Sequence, residues 1–168
     1  MYSIFVSLLG LPLFIFLSVI PVSCNDDGED NMTNTAIQEI TYHFGDASVP
    51  PEYHRSYTIT VSPDKVRVVV DSYGDIIADR SYEVANKQFD KIINSIERNK
   101  IRNCTFDDDE GCTGGTLERV SFSYGNNIIF SGSVYHCGGK DTGDLCGDIT
   151  SFADDVKDLV PNFEKLFL

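Results

Sequence analysis

Tryptophan is absent from the 168-residue chain, methionine occurs twice, and Lys plus Arg number 13 against 26 Asp plus Glu. The shortage of bases excludes most. At a formal charge of −13 no cluster of cations is available to neutralise phosphates, so nucleic acid is ruled out as a partner and an anionic membrane surface with it. No C-x-x-C, H-E-x-x-H or G-x-S-x-G occurs, which removes the common zinc, zinc-protease and nucleophile-elbow templates. A chain this long buries roughly two thirds of its unfolded surface, so neither a metal nor a cystine is needed merely to fold.

Charge is also missing from Ile4 to Val22, where Ser7 and Ser18 are the polar side chains and Gly10, Pro12 and Pro21 the breaks. A run of that length must enter a membrane. It ends in Pro21-Val22-Ser23-Cys24 and is followed by acids, with no basic stop-transfer cluster, so the expectation is an export signal over residues 1–23. Ser23 before Cys24, followed by Asp26, Asp27, Glu29 and Asp30, resembles the signal of bacterial lipoproteins. The acidic run after the cysteine is similar to the export signal of Bacteroides-type surface lipoproteins. The resemblance covers this tether alone. It implies lipidation of Cys24 as the first mature residue, an outer-membrane or cell-surface address, and membrane contact through the lipid anchor only. Ordinary cleavage after Cys24, with Val22 and Cys24 as the small-residue pair, would secrete the protein instead. Residues 24–35, polar except for Met32, read as a flexible acidic tether, and 36–168 as a single domain.

With Cys24 set aside, Cys104, Cys112, Cys137 and Cys146 remain. An even number in an exported protein points to disulfides, and four cysteines allow three pairings. The most local scheme, Cys104 with Cys112 and Cys137 with Cys146, is the expected one, because both segments read as Gly- and Asp-rich excursions between elements. Asn31-Met32-Thr33 and Asn103-Cys104-Thr105 match the glycosylation sequon, which matters only in a eukaryotic host.

Period-two alternation marks the strands: Ile40, Tyr42 and Phe44; then Tyr57, Ile59 and Val61; then Val66, Val68 and Val70, with Ser62-Pro63-Asp64-Lys65 as the turn between the last two. After Tyr73-Gly74-Asp75, Ile76, Ala78, Tyr82 and Val84 continue the meander. The period changes to 3.6 at Phe89, Ile92, Ile93 and Ile96, an amphipathic helix with Asn86 as its expected cap. A second hairpin follows, Val120 and Phe122 against Ile128, Phe130 and Val134, and then a helix carrying Phe152, Val156, Leu159 and Val160 with Ser151 and Asp154 as a capping box. Pro161 breaks that helix, and a last turn should carry Phe163, Leu166 and Phe167 into the core. The expected fold is α+β, an antiparallel sheet of five to six strands, meander plus hairpin, with two helices packed on one face.

Candidate chemistry is sparse. His43, His54 and His136 read as surface or rim histidines, and Ser131, Ser133 and His136 fail as a triad because Ser133 and His136 fall on opposite faces of an extended strand. Asp107, Asp108, Asp109 and Glu110, crowded into one short segment, are weak candidates for calcium, as are Asp141, Asp144 and Asp148; the spacing is not that of an EF-hand. The most individual stretch runs from Ser48 to Arg55, where Pro50 and Pro51 stiffen a loop bearing Tyr53, His54 and Arg55. Such a loop loses little entropy on binding; the plainer alternative is a connector with Tyr53 packed down. Together these features describe a monomeric, non-enzymatic module binding a protein or glycan at the cell surface. An inhibitor of an extracellular protease is the alternative reading, and a small hydrolase a third. The acidity is confined: four acids in 26–30, four in 107–110, and six against Lys157 in 141–158, leaving a neutral remainder.

Overall fold

The computed structural model describes residues 37–106 and 113–168. The export segment, Cys24, the tether, the Asp107–Glu110 run and Cys112 lie outside the described residues. Seven strands form one antiparallel sheet: β1 (Glu39–Gly45), β2 (Ser56–Val61), β3 (Lys65–Ser72), β4 (Asp75–Glu83), β6 (Thr116–Tyr124), β7 (Asn127–Cys137) and β8 (Lys140–Gly143), in the order β4-β3-β2-β1-β6-β7-β8. Two short strands, β5 (Arg102–Asn103) and β9 (Leu145–Cys146), pair separately. Helices α1 (Asn86–Arg98) and α2 (Ile149–Lys157) and a terminal 3-10 turn (Phe163–Phe167) complete the α+β fold.

Alternation decides which face is covered. Ile40, Tyr42, Ile59, Val61, Val66, Val68, Val70, Val120, Phe122 and Val134 are essentially inaccessible and share one core with Phe89, Ile92, Ile93 and Ile96 of α1 and Ile149, Phe152 and Val156 of α2. The other face is a row of hydroxyls: Thr41 sits opposite Thr60 and Ser121, and Ser121 opposite Ser131. Branched residues pack well on a pleated surface, and a side-chain period of two makes any one-residue slip expose the whole core set.

Several local expectations need correction. The antiparallel sheet with two helices is as expected, but the 138–146 segment, read as an irregular loop, is partly strand: it adds β8 to the edge of the sheet and supplies β9 to pair with β5; Gly138, Gly139 and Gly143 take positive φ there, and at Gly143 a Cβ would meet Ser133 O at 2.1 Å. Helix α1 begins after Ala85, not Asn86, with Gln88 Oε1 accepting from the Ala85 N–H at 3.0 Å. Helix α2 is capped by Asp148, which accepts from both the N–H and the hydroxyl of Ser151. Those bonds stabilise the ionised form and hold the Asp148 carboxyl below its ordinary range. Phe163, Leu166 and Phe167 pack against the core while staying partly exposed.

The cystine prediction also changes. Cys104 is bonded to Cys146, which overturns the local scheme of Cys104 with Cys112 and Cys137 with Cys146. The reason is β5 and β9: Arg102 pairs with Cys146 and Asn103 with Leu145, and the Cys104 N–H donates to Asp144 O, so the two thiols are brought together by a strand pair of high sequence separation. Cys137 is disulfide-bonded as well, and the cysteines left to pair with it, Cys24 and Cys112, lie outside the described residues.

Candidate functional site

The β1–β2 loop, the β3–β4 turn and the β7–β8 turn all emerge at the same end of the sheet, since Gly45 pairs with Leu117, Ser56 with Asp71, and Cys137 with Lys140. The domain begins at the other end, where the Gln38 N–H donates to Ser123 O and Gln38 Oε1 accepts from the Gly125 N–H. Seven residues of β1, about 20 Å of strand, separate the two.

Loop 46–55 is closed upon itself. Asp46 acts as its clasp, Oδ1 accepting from the Ala47 N–H and Oδ2 from the Arg55 N–H, each at 2.8 Å. The Asp46 N–H donates to Ser56 Oγ at 2.9 Å. Pro50 O accepts from the N–H groups of both Tyr53 and His54, so the Pro pair leads into a tight turn. His54 is 5% exposed, not a rim histidine. Its ring stacks on Tyr73 at 3.8 Å between centroids, and Nδ1 accepts from the Tyr73 N–H at 3.3 Å, which leaves the proton on Nε2, facing Ser56 Oγ at 3.4 Å. Burial follows from the fold: His54 is the post on which the loop and the β3–β4 turn meet. The Tyr73 hydroxyl donates to Val49 O and the Ser72 hydroxyl to Pro51 O, tying the same two segments from outside.

Arg55 does not face solvent freely either. Nη1 donates to His54 O at 2.7 Å and Nε to Phe167 O at 3.2 Å, joining the loop to the chain terminus. Tyr53, by contrast, is 69% exposed, with Tyr73 at 56% and Ile76 at 62%. Of the loop residues singled out from sequence, Pro50, Pro51 and Tyr53 form the exposed crest, while His54 and Arg55 hold it from beneath. Tyr53 is not packed down.

A second constellation crosses five strands at this end: Tyr57 on β2, Tyr42 on β1, Glu118 on β6, His136 on β7 and Asp141 on β8. The Tyr42 hydroxyl donates to Glu118 Oε1 at 2.5 Å. With both ring protons present, His136 donates from Nε2 to Glu118 Oε2 and from Nδ1 to Asp141 Oδ1, each at 2.8 Å. Burial, then the neighbouring Tyr57 and Glu118, push the Tyr42 phenol far above its usual range, and burial foremost pushes Tyr57 up to about 12. Tyr42 is therefore a permanent donor. For His136 burial opposes the charge, but the bonds to Asp141 and Glu118 outweigh it and the imidazole is raised above its ordinary value.

Glu118 carries no signal of its own because it precedes the Val120–Phe122 alternation of β6; pairing of Thr116 with His136 is what sets the carboxylate beside the ring. The exposed tip residues did leave a signal: Ser72-Tyr73-Gly74-Asp75-Ile76-Ile77 recurs as Ser123-Tyr124-Gly125-Asn126-Asn127-Ile128-Ile129. Both copies sit at hairpin turns with their tyrosine and isoleucines exposed while Ser72 is buried, and each hairpin carries a register shift.

The remaining candidates do not converge. Asp141 holds His136, Asp144 Oδ1 accepts from the Ser133 N–H, and Asp148 caps α2. His43 lies on the hydroxyl face, bonded to Thr58 at 3.0 Å, with burial and then Arg119 lowering its affinity for a proton. Ser133 pairs with Arg119 and is one strand face away from His136. Among the described residues no group of three His, Cys, Asp or Glu side chains is placed to hold a metal ion, and no helix is long and apolar enough to cross a membrane. No protein-family profile matches the chain, and no curated protein or solved structure matches it either.

Proposed function

We propose that this chain is an exported, lipid-anchored, non-enzymatic domain that binds a protein at the cell surface through the crest of loop 46–55 and the adjoining β3–β4 turn. The observation that carries the reading is the contrast within one loop: Asp46, His54 and Arg55 are spent on fixing it, and Tyr53 is left 69% exposed on top. A fixed backbone has little entropy left to lose on association, and Tyr supplies much contact area for two rotatable bonds. Pro50, Pro51 and Tyr53 on the loop and Ile76 at the start of β4 are exposed apolar side chains at this end of the sheet, accompanied by Glu52 and Tyr73, the mixture of a protein-binding patch. The tether suits this arrangement, because the chain joins the domain at the opposite end of the sheet. A protease-inhibitor role is less well supported: it calls for an extended segment able to add to an enzyme's strand edge, whereas the Pro50–His54 stretch is a closed turn.

The test pairs address with binding. Metabolic labelling with a palmitate analogue should mark the wild type and not Cys24→Ala. Tyr53→Ala combined with Ile76→Ser should leave the melting temperature within a few degrees, as exposed positions do, and reduce retention of the host's surface fraction at least tenfold. Retention that survives protease treatment of that fraction and is lost on periodate oxidation would transfer the ligand from protein to glycan. Retention unchanged in the double variant would remove the loop from the account.

A further inference from the structure

We propose that Glu118, His136 and Asp141 form a proton-set latch: the doubly protonated imidazole clips strand β8 to the sheet, and loss of one ring proton releases β8 at Asp141 while the Glu118 side stays closed. The geometry carries it. Both ring nitrogens face carboxylate oxygens at 2.8 Å, one on β6 and one on β8. A neutral imidazole has a single N–H, so one of the two carboxylates must then face a lone pair. Burial decides which. The Glu118 side chain is 12% exposed and that of Asp141 50%; leaving the buried anion without its donor costs more than letting the exposed one turn to water. Glu118 is also fixed from behind by Tyr42, whose hydroxyl stays protonated.

The groups around the ring are accounted for on each packed strand: Glu118 on β6 and Asp141 on β8 touch it, Tyr42 on β1 and Tyr57 on β2 stand in line behind Glu118, and Lys140, next to Asp141, is itself engaged. Strand β8 is the part able to respond. It is the four-residue edge of the sheet, entered through Gly138 and Gly139 at positive φ, with neither residue contributing a side chain. The sign follows from the raised proton affinity of His136: its stabilising contribution is complete below the ordinary histidine value of about 6.5 and is lost as pH rises through the higher folded-state value. β8 is the sheet edge opposite β4, so the latch sets the order of that edge.

Hydrogen exchange of the full-length protein, corrected for intrinsic rates, at about pH 5.5 and about pH 8.5 tests this. The expected result is a several-fold loss of protection at amides 140–143 at the higher pH, no comparable loss in 116–122, and no pH difference in Asp141→Asn. Asp141 is half-exposed, so that variant folds. Equal protection of β8 at both pH values, a pH effect that persists in Asp141→Asn, or a loss centred on β6 would each overturn the latch. None of these outcomes depends on what the loop binds.

Discussion

Replacing Cys104 and Cys146 together by alanine is expected to lower the unfolding free energy by about 4 kcal/mol, because the bond closes a separation of 42 residues and the chain-entropy cost of such a loop in the unfolded state is of that size. The bridge also joins elements that hydrogen bonding alone ties weakly. β5 and β9 are two residues each, and through them the end of α1 meets the start of α2: the Asp148 N–H donates to Asn99 O, and Asp155 accepts from Arg98 and Asn99. Denaturant midpoints for the double variant and wild type check the value. A loss under about 1 kcal/mol would mean that the unfolded chain is already constrained in this region.

Tyr57→Ala should cost about 3–5 kcal/mol, the range for truncating a buried aromatic. Its ring is nearly inaccessible, lies 6.0 Å from Tyr42 and 5.2 Å from Phe44, and is met edge-on by Phe163 at 5.0 Å and Phe167 at 5.8 Å. Truncation undocks the terminal 3-10 turn and with it Phe167 O, the acceptor for Arg55. Loop order should therefore fall along with stability. Tyr57→Phe keeps the packing and should lose no more than about 1 kcal/mol, the typical contribution of one hydroxyl. Equilibrium unfolding of both variants separates packing from bonding.

How much of this was legible follows from range. Ile40 to Phe44, Tyr57 to Val61 and Val66 to Val70 announce their strands because one face of each is buried, and Phe89 to Ile96 announces a helix by the same logic in a different period. Local composition misleads where pairing is long-range. Cys104 meets Cys146 through β5 and β9, strands too short to show a period, and the Gly-rich 138–146 segment looks like loop although its backbone is laddered to Val134–Cys137. The loop at Pro50 and Pro51 was readable as stiff, but not that His54 would be buried: its partner, Tyr73, is nineteen positions away in another turn. Glu118 and Asp141 carry no pattern of their own, and only the register of β6, β7 and β8 places them on either side of His136.

The acidic character of the chain takes a different meaning on this scaffold. Four of the six acids of 141–158 are structural acceptors: Asp141 for His136, Asp144 for the Ser133 N–H, Asp148 as a cap and Asp155 for α1. On the open sheet face Arg67 pairs with Asp79 at 2.7 Å. That pair is exposed and contributes little to stability.

The central claim is that the fixed crest around Tyr53 is the docking surface. A photo-cross-linking residue placed at position 53 of the full-length protein in its host tests it most directly, with the same residue at Lys91 on the solvent side of α1 as reference and Asp46→Ala as the variant that opens the clasp. The account predicts a discrete protein adduct from position 53, none from position 91, and loss of the adduct in Asp46→Ala while the far-ultraviolet spectrum is unchanged. Equal adducts from positions 53 and 91, or an adduct indifferent to Asp46→Ala, would contradict it.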